Sequence, residues 1–280
     1  MQTVIRSRTQ QVTISPEHPT VIIGERINPT GKKLLAQALA DRDMERVQRL
    51  ALSQVADGAD ILDVNVGAAG VDEVELLPMA VRAVMEVVEV PVCVDSANAE
   101  ALRAALRIVE GKALINSVNG EDKSLARVLP LVKEFGAAVI GLCMDDSGIP
   151  ATVEGRVAVA RKIVERADTM GIPAEDILID CLALSVCTDA NAGRVTLEAI
   201  RTVRQELGVN MTLGASNVSF GLPDREAINE VFLSMAILNG VNAPIVSPAP
   251  ARKGILISDL VMGRDEYAMR YVRYVRAQRK

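Results

Sequence analysis

A single-domain (β/α)8 barrel is the fold this sequence predicts, and three observations predict it. Eight short apolar runs, at residues 21–25, 61–66, 90–94, 113–115, 137–143, 177–179, 211–213 and 243–246, alternate with amphipathic stretches. Strands alternating with helices imply parallel pairing and right-handed crossovers. The 280 residues hold these eight units at the size usual for such a barrel. A doubly wound open sheet is the competing arrangement, but no Gly-x-Gly-x-x-Gly loop follows the first run.

Taken in order, residues 1–20 are polar and mixed, and are expected to pack against the bottom of the barrel. Helical periodicity then covers residues 44–56, 74–88, 99–109, 125–135, 157–170, 197–207 and 225–238, with a last helix running from 254 to the C-terminus. The third strand shows the logic of one unit. Val90, Val92, Cys93 and Val94 suit a buried strand, Asp95 ends it, and Asn98 is a good N-cap for the following helix. Arg270, Arg273, Arg276, Arg279 and Lys280 read as a solvated helix face. No linker interrupts the pattern, so residues 1–280 are expected to form one domain.

Composition narrows the function. Hydrophobic residues are 49% of the chain and aromatics 2%, with no Trp, so the core is aliphatic and a flat ligand has few rings to stack on. A net charge of -5 argues against nucleic-acid binding. The N-terminal residues carry no apolar signal core, and the long uncharged run at 231–251 is broken by Asn239, Gly240, Asn242, Pro244 and Pro248. It reads as a helix and a strand, not a membrane span. Cys93, Cys143, Cys181 and Cys187 show no CxxC spacing and read as reduced thiols of a cytoplasmic protein. The lone histidine, His18, lies in the leader, so neither a histidine zinc site nor a histidine base is expected.

The chemistry sits where the strands end, on the face that barrels use for ligands. Glu25 and Asn28 follow the first strand, Asp63 and Asn65 the second, Asp95 the third, and Asn116 and Asn119 the fourth. Asp145 and Asp146 follow the fifth, Asp180 the sixth, and Gly214, Ser216, Asn217 and Ser219 the seventh. Carboxylates and amides dominate, with few cations and no glycine-rich loop near residues 243–250, which disfavours a phosphate ester. A carboxylate accepts two parallel hydrogen bonds from a cyclic amidine or guanidine edge, and Asn both donates and accepts. A pterin ring fits that set. Each residue also has a plainer reading. Asp63 and Asn65 serve equally well to hold loops, Asp95 and Asp180 as partners of a core arginine, Asn116 as a satisfier of backbone groups, and Asn217 in an Asx-turn.

Together the motifs resemble the methyltetrahydrofolate:corrinoid-protein methyltransferases, relatives of the folate module of cobalamin-dependent methionine synthase. The resemblance rests on Ile-Gly-Glu-Arg-Ile-Asn at 23–28, Asp-Val-Asn-Val-Gly at 63–67, Cys-Val-Asp-Ser at 93–96, Ile-Asn-Ser at 115–117, Ile-Gly-Leu at 140–142, Ile-Asp at 179–180 and Ser-Asn-Val-Ser at 216–219. It implies a (β/α)8 barrel, usually dimeric. It also implies that Asp95, Asn116 and Asp180 hydrogen-bond the pterin, that Asn217 lies near the methyl-bearing N5, and that Glu25, Gly214, Ser216 and Arg225 line the same pocket. The substrate so implied is (methyl)tetrahydrofolate. No Asp-x-His-x-x-Gly motif is present, so the cobalamin is expected on a separate corrinoid protein, with no metal held by this chain. After Asp180 the sequence Cys-Leu-Ala-Leu-Ser-Val-Cys departs from the Asp-Pro start of relatives. The direction of methyl transfer stays open. Two alternatives stand beside this one: a dihydropteroate synthase-like enzyme, which would want a Ser-Arg-Lys where Ser-Asn-Val-Ser stands, and a barrel that binds folate without turnover.

Overall fold

The structure, a computed structural model, describes residues 1–278. Eight parallel strands close a barrel: β3 (Ile23–Ile27), β4 (Ile61–Asn65), β5 (Val92–Asp95), β6 (Leu114–Asn119), β7 (Ala138–Leu142), β8 (Ile177–Asp180), β9 (Asn210–Gly214) and β10 (Val241–Val246), the last pairing back onto the first. The helices wrapping it are α1 (Lys33–Ala40), α2 (Met44–Ala56), α3 (Glu73–Val87), α4 (Ala99–Leu106), α5 (Asp122–Phe135), α6 (Val153–Thr169), α7 (Ala192–Leu207), α8 (Arg225–Asn239), α9 (Pro248–Val261) and α10 (Met269–Ala277). The predicted fold is therefore the observed one.

The hydrophobic groups divide by strand periodicity, because successive side chains point to opposite faces. One set, including Leu62, Val64, Val92, Val94, Ile115, Val139 and Ile179, packs outward against the helices. The other set, Ile23, Ile61, Cys93, Leu114, Ala138, Ile140, Leu178 and Ala243, fills the barrel interior. Capping sets where helices start. Asp72 accepts from Val74 N, Asn98 from Glu100 N and Ala101 N, and Thr152 from Gly155 N. The last of these starts α6 four residues before the apolar periodicity does, since its first turn is partly exposed. Likewise α9 begins at Pro248 rather than 254, with proline at the first helical position where its missing N–H costs nothing. The expected C-terminal helix is two helices with a short 3-10 turn, Glu266–Ala268, between them. Arg279 and Lys280 lie outside the described residues.

Two elements have no counterpart in the sequence reading, α1 and a leader hairpin. Residues Thr3–Arg6 (β1) and Gln11–Ile14 (β2) pair antiparallel. Ile5 and Ile14, both fully buried, join the interior cluster and stopper the end of the barrel where the strands begin. Polar groups fasten this stopper. Asn210 Nδ2 donates to Thr3 Oγ1 (2.9 Å) and to the Ile14 carbonyl (3.0 Å), and Asn242 Nδ2 donates to Asn210 Oδ1 (2.7 Å). Among the described residues no helix is long and apolar enough to cross a membrane. The uncharged run at 231–251 is α8, β10 and the start of α9.

Candidate functional site

With one end stoppered, the open end is the one that carries the strand carboxyl termini. Interior-facing positions change there from apolar to polar within two residues. On β4 the inward line runs Ile61, Asp63, Asn65; on β5 Cys93, Asp95; on β6 Leu114, Asn116; on β8 Leu178, Asp180. Strand register sets their heights. Asn65 pairs with Asp95 and Asp95 with Asn116, so these three sit side by side, whereas Asp63 pairs with Cys93 one step deeper. Asp63 therefore forms the floor beneath the other three.

Asp180 is almost fully buried. It accepts from Leu182 N (2.6 Å) and Gly214 N (3.1 Å). Burial pushes its carboxyl up to about 6, against those two bonds. The core-arginine partner weighed from the sequence does not form. Arg156 is buried nearby, but it donates to the carbonyls of Pro150, Cys181 and Leu182 and to Thr196 Oγ1. It therefore shapes the loop after β8, and its charge pulls on Asp180 from nearby without forming a direct ion pair.

Burial likewise pushes the Asp95 carboxyl up to about 6, against hydrogen bonding from Asn65 and Asp63. Asp63 is raised well above its ordinary value, first by burial and then by the Asp95 charge. Asn116 Nδ2 donates to Asp63 Oδ1 at 3.1 Å, which turns the rest of its amide toward the mouth. Asp63 thus joins the candidate site, although the sequence reading left it among loop-holding candidates. The available signal was its spacing of two from Asn65, which puts both on the inner face. Asn65 also holds a loop, accepting from Gly67 N (2.8 Å).

Glu25 and Lys32 stand at the end of β3 and start of α1. Burial raises the Glu25 carboxyl against the pull of the Lys32 ammonium, and burial lowers Lys32. Across the ring, β9 leads into a 3-10 turn, Ala215–Ser219, not the Asx-turn weighed beforehand. Asn217 lies on this turn, exposed, with no side-chain hydrogen bond among the described residues. Gly214 adjoins it: a Cβ there would stand 3.5 Å from Asn217 Nδ2, an ordinary contact distance. Arg225 is tied down: Nη2 donates to the Ser216 carbonyl (2.8 Å) and Nε to Ser219 Oγ (3.0 Å).

Two hollows open at this end. One, about 340 Å³, is lined by Asp95, Ser96, Asn116, Ser117, Asn119 and neighbouring α5 side chains. The other, about 380 Å³, is lined by Glu25, Ser216, Arg225 and residues of α8 and α9. The predicted site residues therefore divide: Asp95 and Asn116 line one hollow, Glu25, Ser216 and Arg225 the other, and Asp180, Gly214 and Asn217 line neither. Among the described residues no group of three or more His, Cys, Asp or Glu is arranged to hold a metal ion. Cys93, Cys143 and Cys181 are buried and Cys187 is exposed.

A barrel with an acceptor-rich open end of this kind defines a pterin-binding class, and residues 24–247 match the family model described as pterin binding enzyme. The chain belongs to these enzymes, in their methyltetrahydrofolate:corrinoid-protein methyltransferase family. It is 30% identical over 261 residues to the methylcorrinoid:tetrahydrofolate methyltransferase of Eubacterium limosum, a match covering 90% of this chain and 94% of that one. It is 34% identical over 244 residues to methionine synthase of Mycobacterium leprae, covering 82% of this chain and 20% of that protein. Among solved structures, dihydropteroate synthase from Stenotrophomonas maltophilia superposes with a TM-score of 0.67 over 93% of this chain and 98% of that one. The identity there is 18%, a likeness of fold alone.

Proposed function

We propose that this chain is a cytoplasmic methyltransferase that moves a methyl group between N5 of tetrahydrofolate and the cobalt of a corrinoid carried by a separate protein. The observation that carries this reading is a pair of deep carboxylates, Asp95 and Asp180, neither ion-paired, at the ends of strands three apart in the barrel ring. Such groups are costly unless donors meet them. The N–H edge of a pterin supplies those donors. The full-length match to the Eubacterium limosum enzyme supports the methyl chemistry.

The corrinoid supplies the methyl acceptor or donor. The residues of this chain have three tasks. Asp95, Asn116 and Asp180 orient the ring, with Asp63 holding the Asn116 amide in place. Asn217 donates a hydrogen bond to N5. In transfer away from folate the methyl leaves without its bonding electrons; N5 keeps the pair and takes a proton from solvent. Negative charge building at N5 strengthens the Asn217 bond as the C–N bond breaks. The same contacts serve the reverse direction.

Mixing the protein with tetrahydrofolate and a methylated corrinoid protein tests the reading, since demethylation changes the cobalt spectrum. Folate binding with no spectral change would favour the non-catalytic barrel. Condensation of a pterin diphosphate with p-aminobenzoate would favour the synthase, although no Ser-Arg-Lys stands where that enzyme would want it.

A pH prediction follows from burial. Each carboxyl has a folded value of about 6 against about 3.9 unfolded. The neutral forms favour the ligand-free fold; this contribution is complete below the unfolded value and lost as pH rises through 6. Folate binding needs the ionised forms. Lowering pH from 7 to 5 should therefore raise the melting temperature of the ligand-free protein while weakening tetrahydrofolate binding. Calorimetry across that range checks both signs, and tighter binding at pH 5 would contradict the assignment.

The homodimer is proposed on the outer wall. A shallow apolar groove of about 750 Å³ runs between α7 and α8, lined by Leu197, Ile228, Val231, Phe232 and Met235 among others. Val231, Met235 and Leu238 are exposed at helical spacing. Exposed apolar stripes of this kind mark association surfaces. Val231→Glu combined with Met235→Glu should convert a dimer to a folded monomer in sedimentation velocity. An unchanged sedimentation coefficient would put the interface elsewhere.

A further inference from the structure

Arg156 of α6 is the largest of the fully buried side chains, at 1% exposure. A guanidinium taken out of water is costly unless its N–H groups are met. Here they meet neutral acceptors. Nε donates to the Pro150 carbonyl (3.0 Å), and Nη1 donates to the Cys181 carbonyl, the Leu182 carbonyl and Thr196 Oγ1, each at 2.9 Å. Two of these carbonyls belong to the residues that directly follow Asp180.

The chain turns sharply there. Leu182 lies in the left-handed region at φ 61°, which a leucine adopts only where its surroundings hold it. The Cys181 carbonyl and the Leu182 N–H are the two ends of one trans peptide unit, and in such a unit they point in opposite directions. Arg156 grips the carbonyl end. The N–H end therefore points back at Asp180, whose Oδ1 it reaches at 2.6 Å. A hydrogen bond to the carbonyl also polarises the unit, so its N–H donates more strongly. From β9, Gly214 N holds Oδ2 (3.1 Å), and the remaining lone pairs of the carboxylate are left for the barrel mouth.

We propose that Arg156 is a positioning residue of the folate site, acting through the 181–182 peptide to aim the Asp180 carboxylate at the pterin. The assignment rests on the reading of Asp180 as a pterin acceptor. Arg156 has a second effect, through space. Burial opposes ionisation of Asp180, and the Leu182 and Gly214 N–H groups and the Arg156 charge work against it. The titratable groups beside them are two thiols, Cys143 at the end of β7 and Cys181 itself. The hydrogen bond with Cys143, then burial, holds the Cys181 thiol well above its usual value, so it stays neutral. The charge that Asp180 answers to is therefore Arg156.

Titration calorimetry with tetrahydrofolate at pH 6 and pH 8 tests this on four proteins: wild type, Arg156→Gln, Asp180→Asn and the double variant. Arg156→Gln keeps one amide donor but loses the charge and the fork. It should weaken binding about threefold at pH 8, where Asp180 is ionised regardless, and about tenfold at pH 6, where ionisation needs the missing charge. In the Asp180→Asn background the same substitution should act equally at both pH values, since no carboxyl is left for it to act through. Arg156→Lys keeps the charge but cannot span three acceptors, and should weaken binding about threefold at both pH values. An Arg156→Gln effect that is the same at pH 6 and pH 8, or a pH dependence of that effect that persists without the Asp180 carboxyl, overturns the proposal and leaves the arginine as a strut of the loop. Should Arg156→Gln not fold, Arg156→Lys decides, and wild-type affinity in that variant overturns the proposal. A wild-type protein that binds no tetrahydrofolate overturns the pterin reading itself, and this proposal with it.

Discussion

Replacing Asn217 by alanine should lower single-turnover methyl transfer by roughly a hundredfold, the usual cost of removing one donor aimed at developing charge. In rate terms that is about 2.7 kcal/mol of lost transition-state stabilisation. The loss should fall on turnover more than on binding. Methylated N5 is a weak base, so its bond to the amide contributes little in the ground state and most in the transition state. The structure suits this experiment. The Asn217 side chain is exposed and makes no hydrogen bond to the protein among the described residues, so its removal breaks nothing else. The turn is held by backbone contacts and by Arg225, which the substitution leaves intact. Stopped-flow spectroscopy of the corrinoid at saturating folate reads the rate directly. Wild-type transfer by Asn217→Ala would reduce the asparagine to a turn residue and remove the mechanism.

The carboxylates should show the opposite pattern, with affinity lost first. Asp95→Ala and Asp180→Ala should each weaken tetrahydrofolate binding by about 1.5–3 kcal/mol, roughly ten- to a hundredfold, the range for a charge-assisted hydrogen bond. Their folding consequences differ. Among the described residues the Asp95 carboxylate accepts no backbone hydrogen bond, and removing it relieves the charge pressing on Asp63. Asp180 accepts from Leu182 N and Gly214 N, so alanine there strands two backbone donors. Asp180→Asn keeps an acceptor while removing the charge, and separates the two effects. Titration calorimetry on all three variants is decisive: affinities at the wild-type level in both alanine variants would end the pterin assignment.

How much of this was legible beforehand depends on the range of the interaction that sets each feature. Strand and helix periodicity is local, so the eight strands, the order of the main helices and the N-cap at Asn98 could be read from the chain. The polar residues at the strand ends were legible for the same reason, since Asp95, Asn116 and Asp180 each directly follow an apolar run. α6 and α9 start ahead of their apolar periodicity, because the Thr152 cap begins the first and Pro248 at the first helical position begins the second.

What the sequence by itself determined was the class of the fold, the end of the barrel on which polar groups gather and the kinds of group found there. These follow from patterns of two to four residues and from the family motifs. Only the tertiary structure decided that Asp63 is the floor of the site, because its depth relative to Asp95 is a register between two strands. The same holds for Arg156, whose guanidinium finds carbonyls rather than Asp180 once the loop after β8 has folded over it. It holds too for the leader hairpin, whose short inward line of Thr3, Ile5, Val12 and Ile14 acquires meaning from the barrel end it fills. Each of these is a contact between segments distant along the chain, where no local period carries the information.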